Sequence, residues 1–407
     1  MLNGLVAVNR TFSELLVPIA KYTMTNFFRE NTPKIVSSLE YGKKPILDDL
    51  QINVYETMPA VENVTAIYDN KIITGNVHYG DFIVNCYAET RDDAKQWMDN
   101  FEQQMVKRNQ YRGKCLYAEK NNIFFRDVPK VSWDDIVLSE KIKKDIRLNT
   151  VDFLGNKKFA TVGVMKRGLL MFGPPGTGKT SVVKSIFNEL EGKDISRIYV
   201  TAESFRNMSV GRLFEFLGYL GPSVLAFEDI DMISGNRDVH LASNQLGDLL
   251  TNLDGMRKHG EQLVVIASTN KIGLMDDALA SRPARFDRKI EIGLPDADLV
   301  KRLYAKFLGS VVSDDIIKMS SGFTGSHIFE VVNTAKIIAS NEDKEAKDCV
   351  SEACTIIRDN FFPGQDMLQM KAAIQSYMIK KSSITKKASI SKVQKIALNI
   401  LEQISKD

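Results

Sequence analysis

Few of the residues that build disulfide or metal frameworks occur in this sequence. Its four cysteines, Cys86, Cys115, Cys349 and Cys354, are scattered through 407 residues without a CxxC pair. That argues against a disulfide scaffold or a zinc knuckle and fits a reducing compartment. The four histidines, His78, His240, His259 and His327, form no HExxH, which argues against a zinc protease. His78 stands alone beside aromatic residues and reads as structural. A charge of one sign is missing too. The 54 Lys and Arg against 51 Asp and Glu leave +3, which gives no electrostatic push toward nucleic acid or a membrane surface. The opening "MLNGLVAVNRTFSELLVPIAKY" is broken by Asn9, Arg10 and Glu14 well short of the roughly 20 apolar residues of a membrane span. It also lacks the pattern of a secretory signal. It predicts an amphipathic helix packed on its own domain, in a cytoplasmic chain without a membrane span. No internal repeat is visible.

What is present divides the chain by texture. Residues 1–125 read as an N-terminal α+β domain that serves a partner, a substrate or assembly. "VTAIYDNKIITGNVHYGDFIVNCYAET" alternates, with Gly75 and Gly80 at expected turns, which predicts a β-meander. "RDDAKQWMDNFEQQMVKRNQ" carries acids in its first turn and bases in its last, as a helix does. "KCLYAE" and "NIFFRDV" read as two more strands of this domain. From 126 to 295, "GLLMF", "RIYVT", "VLAF", "LVVIAS" and "RKIEIG" alternate with helical stretches. That is the signature of an α/β fold, a parallel sheet covered by helices on both faces. Residues 296–360 then read as helical, and 361–407 as a basic, then amphipathic, helical tail.

The strand "RGLLMF" runs into "GPPGTGKT" and then into the helical "SVVKSIFNEL". GxxxxGK[ST] in that context is a phosphate-binding loop. The expected cradle is Gly173, Pro174, Pro175, Gly176, Thr177, Gly178, Lys179, Thr180 and Ser181. Its glycines let backbone N–H groups turn onto phosphate oxygens, and the helix N-terminus adds partial positive charge. Lys179 reaches the outer phosphates, and Thr180 offers its hydroxyl to Mg²⁺. ATP and Mg²⁺ are thus the expected cofactors. "VLAFEDID" puts acids at the end of a buried strand, which is expected beside the strand that feeds the loop. "LVVIASTN" ends in Asn270, able to orient a water.

Together "GPPGTGKT", "FEDID", "ASTN" and "SRPARFDRKIEIGLPD" resemble the AAA family of ATPases over residues 130 to 340. That resemblance implies a P-loop core followed by a helical lid, and an ATP hydrolase that works as a homo-oligomeric ring of six or seven. "VSWDDIV" resembles the family's adenine-flanking segment and points to Asp135 and Ile136. "SGFTGSHI" resembles its lid signature and places Gly325 and Ser326 near the nucleotide. Arg282 and Arg285 fall where the family sends arginines into the neighbouring subunit's site. The Glu228–Asp229 order and the run "NTVDFLGNKKFATVGVMKRGLLMFGPPGTGKT" resemble the subgroup of the mitochondrial Rieske-protein chaperone-translocase. On that footing Glu228 serves the metal and Asp229 the attacking water, with the exchanged assignment open. FtsH-type relatives add a zinc protease whose HExxH is lacking here. "SFRNMSVGRLF" carries Met208, Ser209 and Val210 where threading members place an aromatic residue, and Phe205 reads as core.

The function expected is ATP-driven remodelling or translocation of a protein client. Two rivals differ in kind. A DNA-linked motor or loader would want a basic channel or stacking surface, which the balanced charge does not favour. An assembly scaffold would bind ATP without turning it over, and intact acids, Asn270 and paired arginines argue against that.

Overall fold

The computed structural model describes residues 5–31, 34–37, 46–51, 57–119, 122–156, 158–161, 163–233, 247–249, 251–252, 261–271 and 286–361. They fall into two compact units, residues 1–303 with 322–328, and residues 304–321 with 329 onward. The expected tail, 361–407, lies outside the described residues beyond Phe361.

The first unit contains two sheets. The N-terminal sheet comprises β1 (Val6–Phe12), β2 (Lys34–Ser37), β3 (Ile46–Gln51), β4 (Thr57–Tyr68), β5 (Lys71–His78) and β6 (Asp81–Ala88), in the order β1-β6-β5-β4-β2 with β3 also on β4. The expected meander is β4-β5-β6, paired antiparallel. In β6 alternate residues Phe82, Val84, Cys86 and Ala88 are buried, and α1 (Val17–Asn31) and α2 (Arg91–Lys107) pack against this sheet. The Thr90 hydroxyl caps α2 by accepting from the Asp93 N–H.

Two local expectations change. The N-terminal stretch is a strand before it is a helix: Val6–Phe12 pairs along the whole of β6, and the helix begins only at Val17. Its β-branched and aromatic residues suit a pleated edge better than a helix. Gly80 does form a turn, but Gly75 lies inside β5, where a Cβ would stand 2.8 Å from the Phe82 ring. The turn before it is Asp69–Asn70, both with positive φ.

The second sheet runs β13-β9-β12-β11-β10-β7-β8. Its members are β7 (Cys115–Glu119), β8 (Asn122–Phe125), β9 (Lys166–Phe172), β10 (Ser196–Val200), β11 (Ser223–Phe227), β12 (Leu263–Thr269) and β13 (Arg288–Glu291). All pairs are parallel except β7–β8. Thus β7 and β8, which the sequence placed with the N-terminal domain, extend the large sheet. Sequence periodicity sees that a strand exists and not which strand it pairs with. For the same reason β11 was misplaced: β12, not β11, lies beside the loop-feeding β9. Both β11 and β12 are buried at every residue, which is why they read as unbroken apolar runs.

Alternate residues of these strands enter two cores. Leu169, Met171, Val224, Ala226, Val264 and Ile266 join one cluster, and Leu170, Leu225, Phe227, Val265 and Ala267 the other. The second cluster continues into Phe12, Leu16, Trp97 and Phe101 of the N-terminal region. The two sheets are distinct, but they share a core. Helix Val210–Leu217 is the seam: the Ser13 hydroxyl donates to Glu215, and Arg212 pairs with Glu14.

The described elements after Pro295 are all helical: Ala297–Leu308, Asp314–Met319, Gly325–Glu342, a short 3-10 turn and Val350–Phe361. Within the second unit the Tyr304 hydroxyl sits 2.7 Å from Ser320 Oγ and 3.2 Å from Cys354 Sγ. No described helix is long and apolar enough to cross a membrane.

Candidate nucleotide site

The predicted cradle is a loop between β9 and helix Lys179–Glu189. Gly173 has φ +149° and approaches β13's exit so closely that a Cβ would stand 2.0 Å from the Ile292 carbonyl oxygen. Gly176, at φ +76°, would put its Cβ 2.8 Å from Ser326 Oγ and 2.9 Å from Thr324 Oγ1. Gly178 precedes the helix without a side-chain cap, so the first N–H groups keep their capacity for an anion. Lys179 is 6% exposed, and its ammonium donates to the Gly173 and Pro174 carbonyls, 2.8 Å each. Burial lowers its pKa, while Asp229, Asp231 and Glu228 counter that shift. The Thr177 hydroxyl closes the turn onto the Pro174 carbonyl. Pro175 is exposed and Ser181 half-buried at the helix start.

The acids separate by environment. Glu228 is 8% exposed, and its Oε1 is buried without a hydrogen-bond partner. Burial pushes its pKa up, the Tyr199 and Thr180 hydroxyls draw it back, and Asp229 pushes it further up. Asp229 sits at φ +48°, a left-handed conformation that Asp tolerates better than most residues. Its N–H donates to Ser268 Oγ at 3.1 Å, and its Oδ1 accepts from Asn270 Nδ2 at 3.1 Å. Asp231, the third acid of the run, accepts at Oδ1 from the Thr269 hydroxyl and the Asn270 N–H, both at 3.0 Å. It ties the end of β12 to the acid loop.

The lid signature also reaches the loop. The Ser326 N–H donates to the Gly176 carbonyl at 3.1 Å, and its hydroxyl does so at 3.4 Å. A Cβ on Gly325 would lie 3.4 Å from that same oxygen. Asp135 spends its carboxylate on the Ser132 N–H and hydroxyl in a capping box, and Ile136 packs in the core cluster of Val182 and Ile186. Arg282 and Arg285 lie outside the described residues. Sequence reasoning gave no role to Asp231, Ser268, Thr269, Tyr199, Thr324 or His327. Asp231 is the last acid of "FEDID", Ser268 and Thr269 lie in "ASTN", and Thr324 and His327 lie in "SGFTGSHI"; Tyr199 alone among these six falls in none of those motifs.

The donor set fits a nucleotide with a hard cation. Thr180 and Glu228 offer hydroxyl and carboxylate oxygens of the kind Mg²⁺ takes, and the unpartnered Glu228 Oε1 is the atom such an ion would satisfy. Among the described residues no cluster of His, Cys, Asp and Glu forms another metal site.

Residues 169–294 match the model of the ATPase family associated with various cellular activities, AAA. They form an AAA ATPase domain. Its parallel sheet and helices are that fold, and ATP with Mg²⁺ is its cofactor. The ATP-dependent zinc metalloprotease FtsH of Lactococcus lactis is 32% identical over 53% of this chain and 33% of its own length. The peroxisomal ATPase PEX6 of Kluyveromyces lactis is 32% identical over 52% of this chain and 23% of its own. The chain therefore spans a third or less of these two relatives. The solved AAA domain of FIGL-1 in complex with ADP is similar at 22% identity and a TM-score of 0.46, over 61% of this chain and 91% of that one.

Proposed function

We propose that this chain hydrolyses ATP in a homo-oligomeric ring of six or seven subunits and couples binding and hydrolysis to remodelling or translocation of a protein client. The observation that carries the reading is the split between the two acids: Glu228 lies against Thr180 with an unsatisfied oxygen, and Asp229 is held by Asn270. Bound ATP with Mg²⁺ supplies the phosphoryl group and neutralises its charge. Lys179 and the following helix N-terminus hold the phosphates. Thr180 and Glu228 give oxygens to the cation. Asp229 accepts the proton of the attacking water at its carboxylate, and Asn270 fixes that carboxylate. Gly325 and Ser326, at the start of the lid helix, sit over Gly176, while Asp135 and Ile136 shape the adenine side. Arg282 and Arg285 act on the neighbour's site.

A protein client is supported by relatives named as metalloproteases, whose substrates are proteins. The Glu–Asp order supports a likeness to the Rieske-protein chaperone-translocase subgroup. Phe205 is fully buried against Phe227, Met208 is buried, and Ser209 caps the helix that begins at Val210. No aromatic grip is offered by this segment, which favours movement of the N-terminal region over threading past an aromatic ring. The scaffold reading is tested by phosphate release. Lys179→Ala should lose nucleotide binding. Asp229→Asn should keep ATP bound and lose turnover by about 10²-fold or more, and Glu228→Gln should weaken the response to Mg²⁺. Normal turnover by Asp229→Asn beside a dead, Mg²⁺-binding Glu228→Gln exchanges the two roles.

A further inference from the structure

Glu228 and Asp229 follow β11 side by side, yet different groups hold them. Asp229 accepts from Asn270 Nδ2. Glu228 carries one more rotatable bond, so a single geometry costs it more side-chain entropy. Its backbone N–H donates to the Val200 carbonyl at 3.2 Å and ties the ends of β10 and β11 together. Its carboxylate is met by two hydroxyls, those of Tyr199 and Thr180. Thr180 is also offered to the cation, which leaves Tyr199 as the donor with no part in coordination.

Register places the phenol. Tyr199 stands beside Ala226 of β11 and Tyr117 of β7. Residues two apart on a strand share a face, so Glu228 follows Ala226 on the face that Tyr199 occupies. Ala226 carries only a methyl group, which leaves room for the ring to lie across it toward Glu228. Helix Lys179–Glu189 covers the same face through Val182, Val183 and Ile186, and its first turn brings Thr180. Two rings hold the phenol in place. Tyr117 stacks on it at 6.1 Å between ring centres with 20° between planes, and Phe187 meets it edge-on at 6.4 Å. Tyr117 is fixed in turn by the Arg126 guanidinium, 4.7 Å over its ring, and by its hydroxyl, which donates to Thr201 Oγ1 at 3.4 Å. A phenol is protonated at neutral pH and donates to a carboxylate. Glu228 Oε1 keeps no partner and stays available to a hard cation.

We propose that Tyr199 is a positioning residue of the nucleotide site: its hydroxyl donates to Glu228, holds that carboxylate in one rotamer and leaves Oε1 for the divalent cation that accompanies ATP. The inference rests on the reading of Glu228 as the cation's carboxylate. Tyr117 and Arg126, which back the ring, precede the matched residues 169–294, so the site's support extends beyond them.

Tyr199→Phe keeps the ring and its stacking and removes only the hydroxyl. Fluorescence titration with N-methylanthraniloyl-ATP in EDTA measures metal-free nucleotide binding by the full chain. Electron paramagnetic resonance with Mn²⁺ in place of Mg²⁺ then measures cation binding to the ATP complex. Tyr199→Phe should bind metal-free nucleotide as wild type does and bind Mn²⁺ about tenfold more weakly. Added to Glu228→Ala, the same substitution should change Mn²⁺ binding no further, because the group it acts through is gone. Wild-type Mn²⁺ affinity in Tyr199→Phe would overturn the proposal, as would a further loss in the Glu228→Ala background. Loss of metal-free nucleotide binding would make Tyr199 a packing residue and overturn it too. Wild-type Mn²⁺ affinity in Glu228→Ala removes the reading of Glu228 itself; weakened Glu228→Ala beside an unaffected Tyr199→Phe removes Tyr199 alone.

Discussion

A buried polar atom left unpaired costs a fold about 1–3 kcal/mol, and Glu228 Oε1 is such an atom. Burial raises the pKa of its carboxyl because the charged form is the one that lacks solvation. An amide in its place removes the charge and keeps the shape. Glu228→Gln should therefore raise the melting temperature of the nucleotide-free protein by about 2 °C per kcal/mol recovered, while wild type should gain more than the variant from ATP with Mg²⁺. A scanning-calorimetry series in both conditions checks this, and a less stable variant without nucleotide removes the strained-carboxylate account. Gly173 sets a different limit. With the Ile292 carbonyl 2.0 Å from any Cβ, Gly173→Ala must displace β13's exit or the loop itself. The expected loss is about 2–4 kcal/mol, read by urea unfolding, with ATP binding lost as well. At this scale the sequence was most legible. Loop glycines, Lys179, Thr180, Glu228, Asp229 and Asn270 lie close in sequence to their own strand ends, so local pattern placed them. Tyr199 reaches Glu228 from the neighbouring strand β10, and no local pattern reaches that far.

Elements were legible as elements but not as neighbours. The apolar runs of β9 to β13 announced a buried parallel sheet, yet the positions of β7, β8 and β12 depend on pairings between distant segments. Val6–Phe12 shows the opposite error: its apolar patches were read as a helix, although its β-branched and aromatic residues suit the strand that pairs with the open side of β6. The lid helix Gly325–Glu342 carries a testable feature near its start. His327 Nδ1 accepts from the Thr324 N–H at 3.2 Å, so its proton resides on Nε2. Burial holds its pKa below the ordinary value. The unfolded chain then takes up a proton near pH 6.5 that the folded site resists until lower pH. Stability present above pH 6.5 is lost as pH falls through the folded value. Urea unfolding from pH 7.5 to 5 should show this decline in wild type and a flatter profile in His327→Gln. Parallel profiles would remove His327 from the account.

The whole molecule raises the question of where the proposed catalytic set is completed. One chain brings together Lys179, Thr180, Glu228, Asp229, Asn270 and Ser326, and Lys184 adds a second positive charge that acts on Glu228. Arg282 and Arg285 lie outside the described residues and precede Asp287 in the sequence. Asp287 accepts from the Gly168 N–H at 2.7 Å, and β13 follows it as the outermost strand. A guanidinium supplied in trans is worth roughly 10³–10⁵ in rate in phosphoryl transfer, the role proposed for these two arginines. Hydrolysis should therefore require assembly, with specific activity rising as protein concentration drives ring formation. Arg282→Ala or Arg285→Ala should bind ATP without turning it over. Mixing either with Asp229→Asn should restore part of the activity, because some interfaces then pair an intact acid with an intact arginine. Light scattering during the assay decides the matter: full activity in a protein that stays monomeric would show that each chain completes its own site.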